Sequence, residues 1–281
     1  MFWKLLGGLS AVEILAHRVV WGAVALIAIA WLAGAGPAVR AALADRRTVA
    51  LMAVSGTLLV INWGTFVAAV MAGHLLDASL GYFITPLISV GLGTLALRER
   101  LRPLQSLAIG LAMVGVVILT WRAGHAPWIA VVLATTFGSY GLVRKLARVE
   151  SLAGSTIETV LLAPIAVIYL AALAAGGGGE LGHAAATTQL LLLSTGVITV
   201  GPLLLFTSAA RRLPLSTLGF LQFIGPTGQF VLALVVYDET FARAQLIAFG
   251  FIWLGLVVFS VDLVRQAPAR PPAGPLSRTG R

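Results

Sequence analysis

The chain has 281 residues, of which 59% are hydrophobic and only 10% charged, with a formal net charge of +9 and a mean hydropathy of +0.99. A soluble domain carries about 25% charged residues, so there is too little charge here to coat a water-facing globule. A soluble enzyme, a nucleic-acid binder and a disordered chain are excluded at this step. The lack of cysteine removes disulfides, thiolate zinc sites and cysteine nucleophiles.

A membrane-spanning helix needs about 20 mostly apolar residues. Polar breaks divide the chain into nine such stretches, near 12–34, 50–71, 79–97, 103–121, 127–143, 155–175, 188–208, 216–237 and 244–264. The breaks carry Gly, Pro and charge signals: Gly34–Pro37 with Arg46 and Arg47, Arg98–Pro103, Arg122–Pro127, Arg144–Glu150, Gly176–His183, Arg211–Pro214 and Asp238–Arg243. They are short, which predicts one compact helical bundle. The runs are too long for barrel strands. Residues 1–11 are too short to span and lack the form of a secretory signal. Residues 265–281, rich in Pro and Arg, read as a disordered cytoplasmic tail. Gly176–Gly179 lacks the Lys-Ser/Thr of a phosphate loop and reads as a solvated connection.

Basic residues set the orientation. One set of loops holds Arg40, Arg46, Arg47, Arg98, Arg100, Arg102, Arg144, Lys145, Arg148, Arg211 and Arg212, and the tail adds four more Arg; only Lys4, Arg18, Arg122 and Arg243 lie on the other side. This asymmetry places the tail in the cytoplasm and the protein in the cell (inner or plasma) membrane, in contact with the lipid bilayer.

Compared with itself, the chain repeats at an offset of 140 residues: Pro86 with Pro226, Glu99 with Glu239, Gln105 with Gln245, Gly110 with Gly250, Gly115 with Gly255. Leu80-Gly81-Tyr82 matches Leu218-Gly219-Phe220 at 138. Matched spans are five apart, an odd number, so partners cross in opposite directions. Such inverted repeats are the architecture of many secondary transporters, with substrate bound near the midplane between the halves.

The strings Asn62-Trp63, Ser79-Leu80-Gly81-Tyr82-Phe83-Ile84 with Pro86, Tyr140-Gly141-Leu142-Val143-Arg144-Lys145, and Leu215-Ser216-Thr217-Leu218-Gly219-Phe220 with Gln222 and Pro226 resemble RarD-type proteins of the EamA family, in the drug/metabolite transporter superfamily. The resemblance runs from about residue 10 to residue 264. It implies ten helices in two five-helix halves, both termini cytoplasmic, and transport of small organic molecules. Thr85 departs from the Asn expected before the Pro. The expected fold is therefore an all-α polytopic bundle of two inverted five-helix repeats lacking its first helix: 1–122 as the first half, 123–264 as the second and 265–281 as the tail. The fifth visible span has no partner, which leads to the expectation of a truncated reading of a ten-helix protein.

Ionisable groups inside apolar spans are costly and mark pathways or pairs. Arg18 and Glu158 are 140 apart, which predicts a charge pair across the pseudo-dyad; the alternative is two separate interfacial residues. Asp262, beside Arg265, reads as interfacial. Glu99 and Glu239 precede helix starts and suit a structural role as acceptors for unpaired N–H groups, ahead of proton carriage. Pro86 and Pro226 are expected to break the third and eighth spans. Asn62, Trp63, Tyr82, Thr85, Tyr140 and Gln222 are the candidates for a substrate cavity, with Glu158 expected to face it too. An aromatic lining with few charges suits neutral or amphipathic organic substrates. Trp63 and Tyr82 taken singly are equally readable as packing residues. There is no His-Glu-x-x-His, Gly-x-Ser-x-Gly or Ser-x-x-Lys, and the His residues have no metal-ligand spacing, so no enzyme, metal or cofactor is expected. The reading is a secondary transporter working by alternating access on a small organic substrate; the alternative is a membrane sensor or scaffold that binds without moving its ligand. Oligomeric state is not encoded in these patterns.

Overall fold

The computed structural model describes residues 9–124, 126–179, 185–236 and 243–266. Among these there are eleven helices and no strand: α1 (Ala11–Leu32), α2 (Gly36–Ala44), α3 (Arg46–Met71), α4 (Leu75–Ala96), α5 (Pro103–Ala123), α6 (Trp128–Leu146), α7 (Ser151–Ala175), α8 (Ala186–Arg212), α9 (Leu215–Leu221), α10 (Ile224–Val236) and α11 (Arg243–Arg265). Eight are long and apolar enough to cross a membrane. α9 and α10 together fill the interval expected for the eighth span, broken at Gln222–Phe223. Large apolar side chains remain exposed, Leu205 at 75% and Trp121 at 85% among them. That pattern is intolerable in water over so wide an area but is ordinary against lipid.

Local chemistry explains the ends. Ser10 caps α1 by accepting from the Glu13 N–H at 3.1 Å. Asp45 caps α3, accepting from the Arg47 and Thr48 N–H groups at 3.1 and 3.2 Å. The Thr48 hydroxyl and the Arg47 N–H hold the Asp45 carboxyl below the usual carboxylate range. α5 ends at Gly124, whose φ of 71° places it in the left-handed region. The short helix α2 occupies a segment expected to be loop; Pro37 near its start and the alanines that follow are the helix-forming signal.

Two expectations about breaks are corrected. Pro86 lies inside an uninterrupted α4. Pro removes the donor that would reach the Tyr82 carbonyl; the Thr85 hydroxyl donates to the adjacent Gly81 carbonyl at 2.7 Å, and the helix continues through both. The Pro86 carbonyl packs on α9 at Gly219, where a Cβ would come within 2.8 Å of it. Pro226 does not itself break its span either; it lies in the first turn of α10, just after the break, where a Pro is tolerated.

The repeat is written into the packing. α5 and α11 lie antiparallel. A Cβ at Gly115 would stand 2.5 Å from the Ala248 carbonyl oxygen, and a Cβ at Gly255 2.6 Å from the Ala108 carbonyl oxygen. Residues 108 and 248, and 115 and 255, are each 140 apart, so the two contacts exchange under a two-fold axis. A second reciprocal pair follows the same offset. Gly56 of α3 meets Glu158 and Leu162 of α7, and Gly196 of α8 meets the backbone of Trp21 and Gly22 of α1. Positions 56 and 196, and 22 and 162, are again 140 apart. Contacts that exchange in this way are the signature of an isologous interface.

These contacts predict which glycines tolerate a side chain. Gly115→Ala and Gly255→Ala should each lower stability by about 1–3 kcal/mol through overpacking. Gly110→Ala and Gly250→Ala, also 140 apart but with nothing within 4 Å of the added carbon, should leave it unchanged or slightly raised. Thermal unfolding of the four purified variants in one detergent checks the contrast.

Candidate functional site

Helical spacing brings one face of several helices to a shared cavity of about 600 Å³. α1 contributes Arg18; α3 contributes Asn62, Trp63 and Phe66; α4 contributes Ala78, Gly81, Tyr82 and Thr85, at i, i+3, i+4 and i+7; α6 contributes Leu133 and Phe137. The break between α9 and α10 completes the wall with Leu221, Gln222, Gly225 and Pro226. On α1, α3, α4 and α6 these residues lie in the half of each helix remote from the arginine-rich loops. The Arg18 guanidinium stands 4.0 Å above the Trp63 ring, a cation–π arrangement. Phe66 and Tyr82 meet edge to face at 5.8 Å. Asn62 donates both amide hydrogens to α6, to the Leu133 carbonyl and the Thr136 hydroxyl, each at 2.9 Å. What it can offer a ligand is therefore its carbonyl oxygen. Gln222 donates to Ser89 Oγ at 3.3 Å, and the Thr85 hydroxyl is already engaged by Gly81.

Five of the six cavity candidates, Asn62, Trp63, Tyr82, Thr85 and Gln222, thus share one space, together with Arg18 and Pro226. Tyr140 and Glu158 do not. Tyr140 is fully buried, stacked on Phe206 at 5.9 Å and beside Phe137 at 5.8 Å. It lies one turn nearer the arginine-rich loops than the cavity floor formed by Phe137. Glu158, also fully buried, lies about 10 Å into α7 from its start.

The expected Arg18–Glu158 pair is corrected. Glu158 pairs with Arg144, Nη1 to Oε2 at 3.6 Å, both groups about 1% exposed. Equivalence under a two-fold axis does not imply contact, and Arg18 is turned to Trp63. By sequence Arg144 belongs with the basic loops, but α6 continues to Leu146 and folds it inward. The guanidinium also donates to the Ser151 carbonyl at 3.2 Å and Ser155 Oγ at 3.4 Å, and its Nη1 contacts Met52 Sδ at 2.8 Å. Gly154 makes the room: a Cβ there would lie 2.5 Å from Arg144 Nη1. Ser55 of α3 donates to Glu158 Oε2. The Tyr140 hydroxyl faces the same carboxylate without closing a hydrogen bond of ordinary geometry. A glycine one turn before an intramembrane glutamate is the only sequence signal for this cluster.

Glu99 does serve a helix start, but not that of its own neighbour α5. Its carboxylate accepts from the Leu215 N–H at 2.7 Å, the Ser216 N–H at 2.9 Å and the Ser216 hydroxyl at 2.8 Å, capping α9 across the repeat. α5 is served by Gln105, whose Oε1 accepts from the Arg102 N–H at 3.1 Å. Glu239 lies outside the described residues. Asp262 is buried and pairs with Arg102 at 3.4 Å rather than with Arg265.

Comparison with known proteins agrees with this architecture. The EamA-like transporter family matches residues 1–121. An uncharacterized transporter of Vibrio cholerae is 46% identical over 269 residues, covering 96% of this chain and 89% of the relative. Protein RarD of Escherichia coli is 41% identical over 263 residues, covering 94% and 89%. A crystal structure with 20% sequence identity superposes with a TM-score of 0.67 over 94% of this chain and 92% of the other, a likeness of fold.

The Glu99 cap yields a stability prediction. Glu99→Ala strands two backbone donors and one hydroxyl at the start of α9, and should cost about 1–3 kcal/mol; Glu99→Gln, which still accepts, should cost less. Unfolding in detergent, with Ser216→Ala as the milder comparison, measures both.

Proposed function

The chain belongs to the EamA-like transporter family, and from that premise we propose that it is a secondary transporter that carries small organic molecules across the inner membrane by alternating access. The observation that carries this reading is the cavity of about 600 Å³ lined from both repeats, at the level where the α9–α10 span is broken. Broken helices at a repeat interface are where transporters of this architecture hold their substrates. Residues 1–122 and 123–264 act as the two halves that rock about the cavity, and the arginine-rich face lies in the cytoplasm, as the distribution of basic residues favours.

The lining narrows the cargo. Trp63, Phe66, Tyr82 and Phe137 favour an aromatic or apolar body. Among the described lining residues there is one cation, Arg18, and no carboxylate. In a site of low dielectric such an imbalance selects against cationic cargo and favours a neutral or anionic group that accepts hydrogen bonds.

Counterflow in proteoliposomes, with a panel of neutral, anionic and cationic aromatic solutes, tests the proposal. Neutral or anionic members are expected to exchange and cationic ones to be excluded. Arg18→Gln should reduce exchange of the anionic members about tenfold, the loss of one charge-assisted contact. Saturable binding with no flux across the whole panel would overturn transport in favour of a ligand sensor.

A further inference from the structure

We propose that Glu158 is a proton-binding site whose occupation opens the arginine-rich face of the bundle. The reading takes its purpose from the transport function proposed above; its geometry stands apart from the cavity. The Glu158 carboxylate is asymmetric. Oε2 takes the Ser55 hydroxyl and the Arg144 guanidinium, whereas Oε1 is buried and accepts no hydrogen bond of ordinary geometry, with the Tyr140 hydroxyl facing the carboxylate. Its lone pairs are the place where a proton can add.

The groups that face Glu158 are few. α6 brings Arg144 and Tyr140 to it, and α3 brings Ser55. α2 packs on the same region of α3 and α7 with Ala38, Val39 and Ala42. α1 sets Gly22 against Thr159 and turns Arg18 to Trp63. Among the described residues α1, α2 and α8 bring no charged group to the carboxylate.

With Glu158 ionised, the two buried charges cancel. A proton from water adding at Oε1 forms one O–H bond, breaks none within the protein, and raises the net charge of the cluster from zero to +1. Arg144 is then a buried cation without its counter-charge, a state that buried pairs tolerate poorly. It lies two residues from the end of α6, about 3 Å along the helix axis, so the water at the arginine-rich face is close. Movement toward that water withdraws the guanidinium from Met52 on α3 and from Ser151 and Ser155 on α7. The contact loosened joins α3 of one repeat to α6 and α7 of the other. Phe137, in the turn before Tyr140, lines the cavity and packs 5.8 Å from the tyrosine ring, so a single aromatic layer lies between the proton site and the substrate space.

The chain contains no cysteine, so one introduced thiol reports opening directly. Ala153, fully buried beside Met52 and Ile157, is replaced by Cys in the full chain in liposomes. Its rate of reaction with a membrane-impermeant maleimide is taken relative to an Ala44→Cys chain, where the thiol is exposed on the same face. Acidification from about pH 8 to about pH 5, spanning the range where buried carboxyls titrate, should raise the relative rate about tenfold. Adding Glu158→Gln, which mimics the protonated carboxyl, should make it fast at every pH. Adding Glu158→Gln with Arg144→Gln, which removes both charges, should make it slow at every pH. A rate insensitive to pH in the Ala153→Cys chain, or an unchanged pH response in the double variant, overturns the proposal. If Glu158→Gln alone is not monodisperse, the double variant decides the question. No solute is involved in the measurement. A chain that opens on acidification yet moves nothing in counterflow would overturn transport and leave the proton site standing, and the reverse pattern would do the opposite.

Discussion

Hydrocarbon offers no partner to a charge or a backbone amide, so a polar group inside the bundle is costly unless another part of the protein answers it. The pairing of Arg144 with Glu158 is the strictest case. Both side chains are buried, and neither α6 nor α7 could keep its charge at that depth alone. Gly154 opens the space for the guanidinium, Ser55 fixes the carboxylate, and the tight link between α6 and α7 brings the two within 3.6 Å. Because Ser55 and Met52 belong to α3, the answer to a local electrostatic problem ties the two repeats together. Glu99, by capping α9, and Arg102 with Asp262 do the same nearby. The arginine-rich face is therefore joined by polar contacts, while the opposite half of the bundle encloses the cavity.

Without a strong hydrophobic drive between helices in lipid, close approach has to come from small residues. The glycines at 115 and 255 bring α5 and α11 near enough for a backbone oxygen to occupy the space of a missing side chain. The same exchange at 56 and 196 shows that the duplication preserved how the helices meet as well as their order. Near the cavity the halves diverge. α4 runs unbroken through Pro86, whereas its counterpart divides into α9 and α10, and it is the division that turns Gln222 toward the cavity.

Much of the architecture was legible because hydropathy and a self-comparison report directly on it. Span length, inverted order and the candidates Asn62, Trp63, Tyr82, Thr85 and Gln222 all follow from apolar runs, matched positions and residue type. The pairing of charges was not legible. Offset arithmetic identifies equivalent residues, and it suggested Arg18 for Glu158, but contact depends on how far each helix extends and which way it is turned. Arg144 looked like a loop cation because it sits beside Lys145 and Arg148; only the continuation of α6 to Leu146 buries it. The sequence suits Glu99 to the start of the helix that follows it, whereas the helix start it caps lies 116 residues away in sequence, a distance that no local pattern spans. Pro86 misleads for a related reason: a Pro within a long apolar run need not end a helix, and α4 carries it through to Ala96.

The two glycine seams at 56 and 196 are equivalent by symmetry yet unequal in kind. At Gly196 an added Cβ would meet backbone alone, that of Trp21 and Gly22, within 2.6 Å; at Gly56 it would meet the Leu162 side chain first, at 3.0 Å, with the Glu158 side chain and carbonyl at 3.2 Å. Side chains can change rotamer and give way, but main chain against main chain has no soft layer to compress. On the proposed rocking motion, the α1–α8 seam would be the axle that holds its spacing and the α3–α7 seam the side that parts. On that proposal two seams that began as equals have become a fixed bearing and a moving jaw, and the charged cluster lies in the jaw.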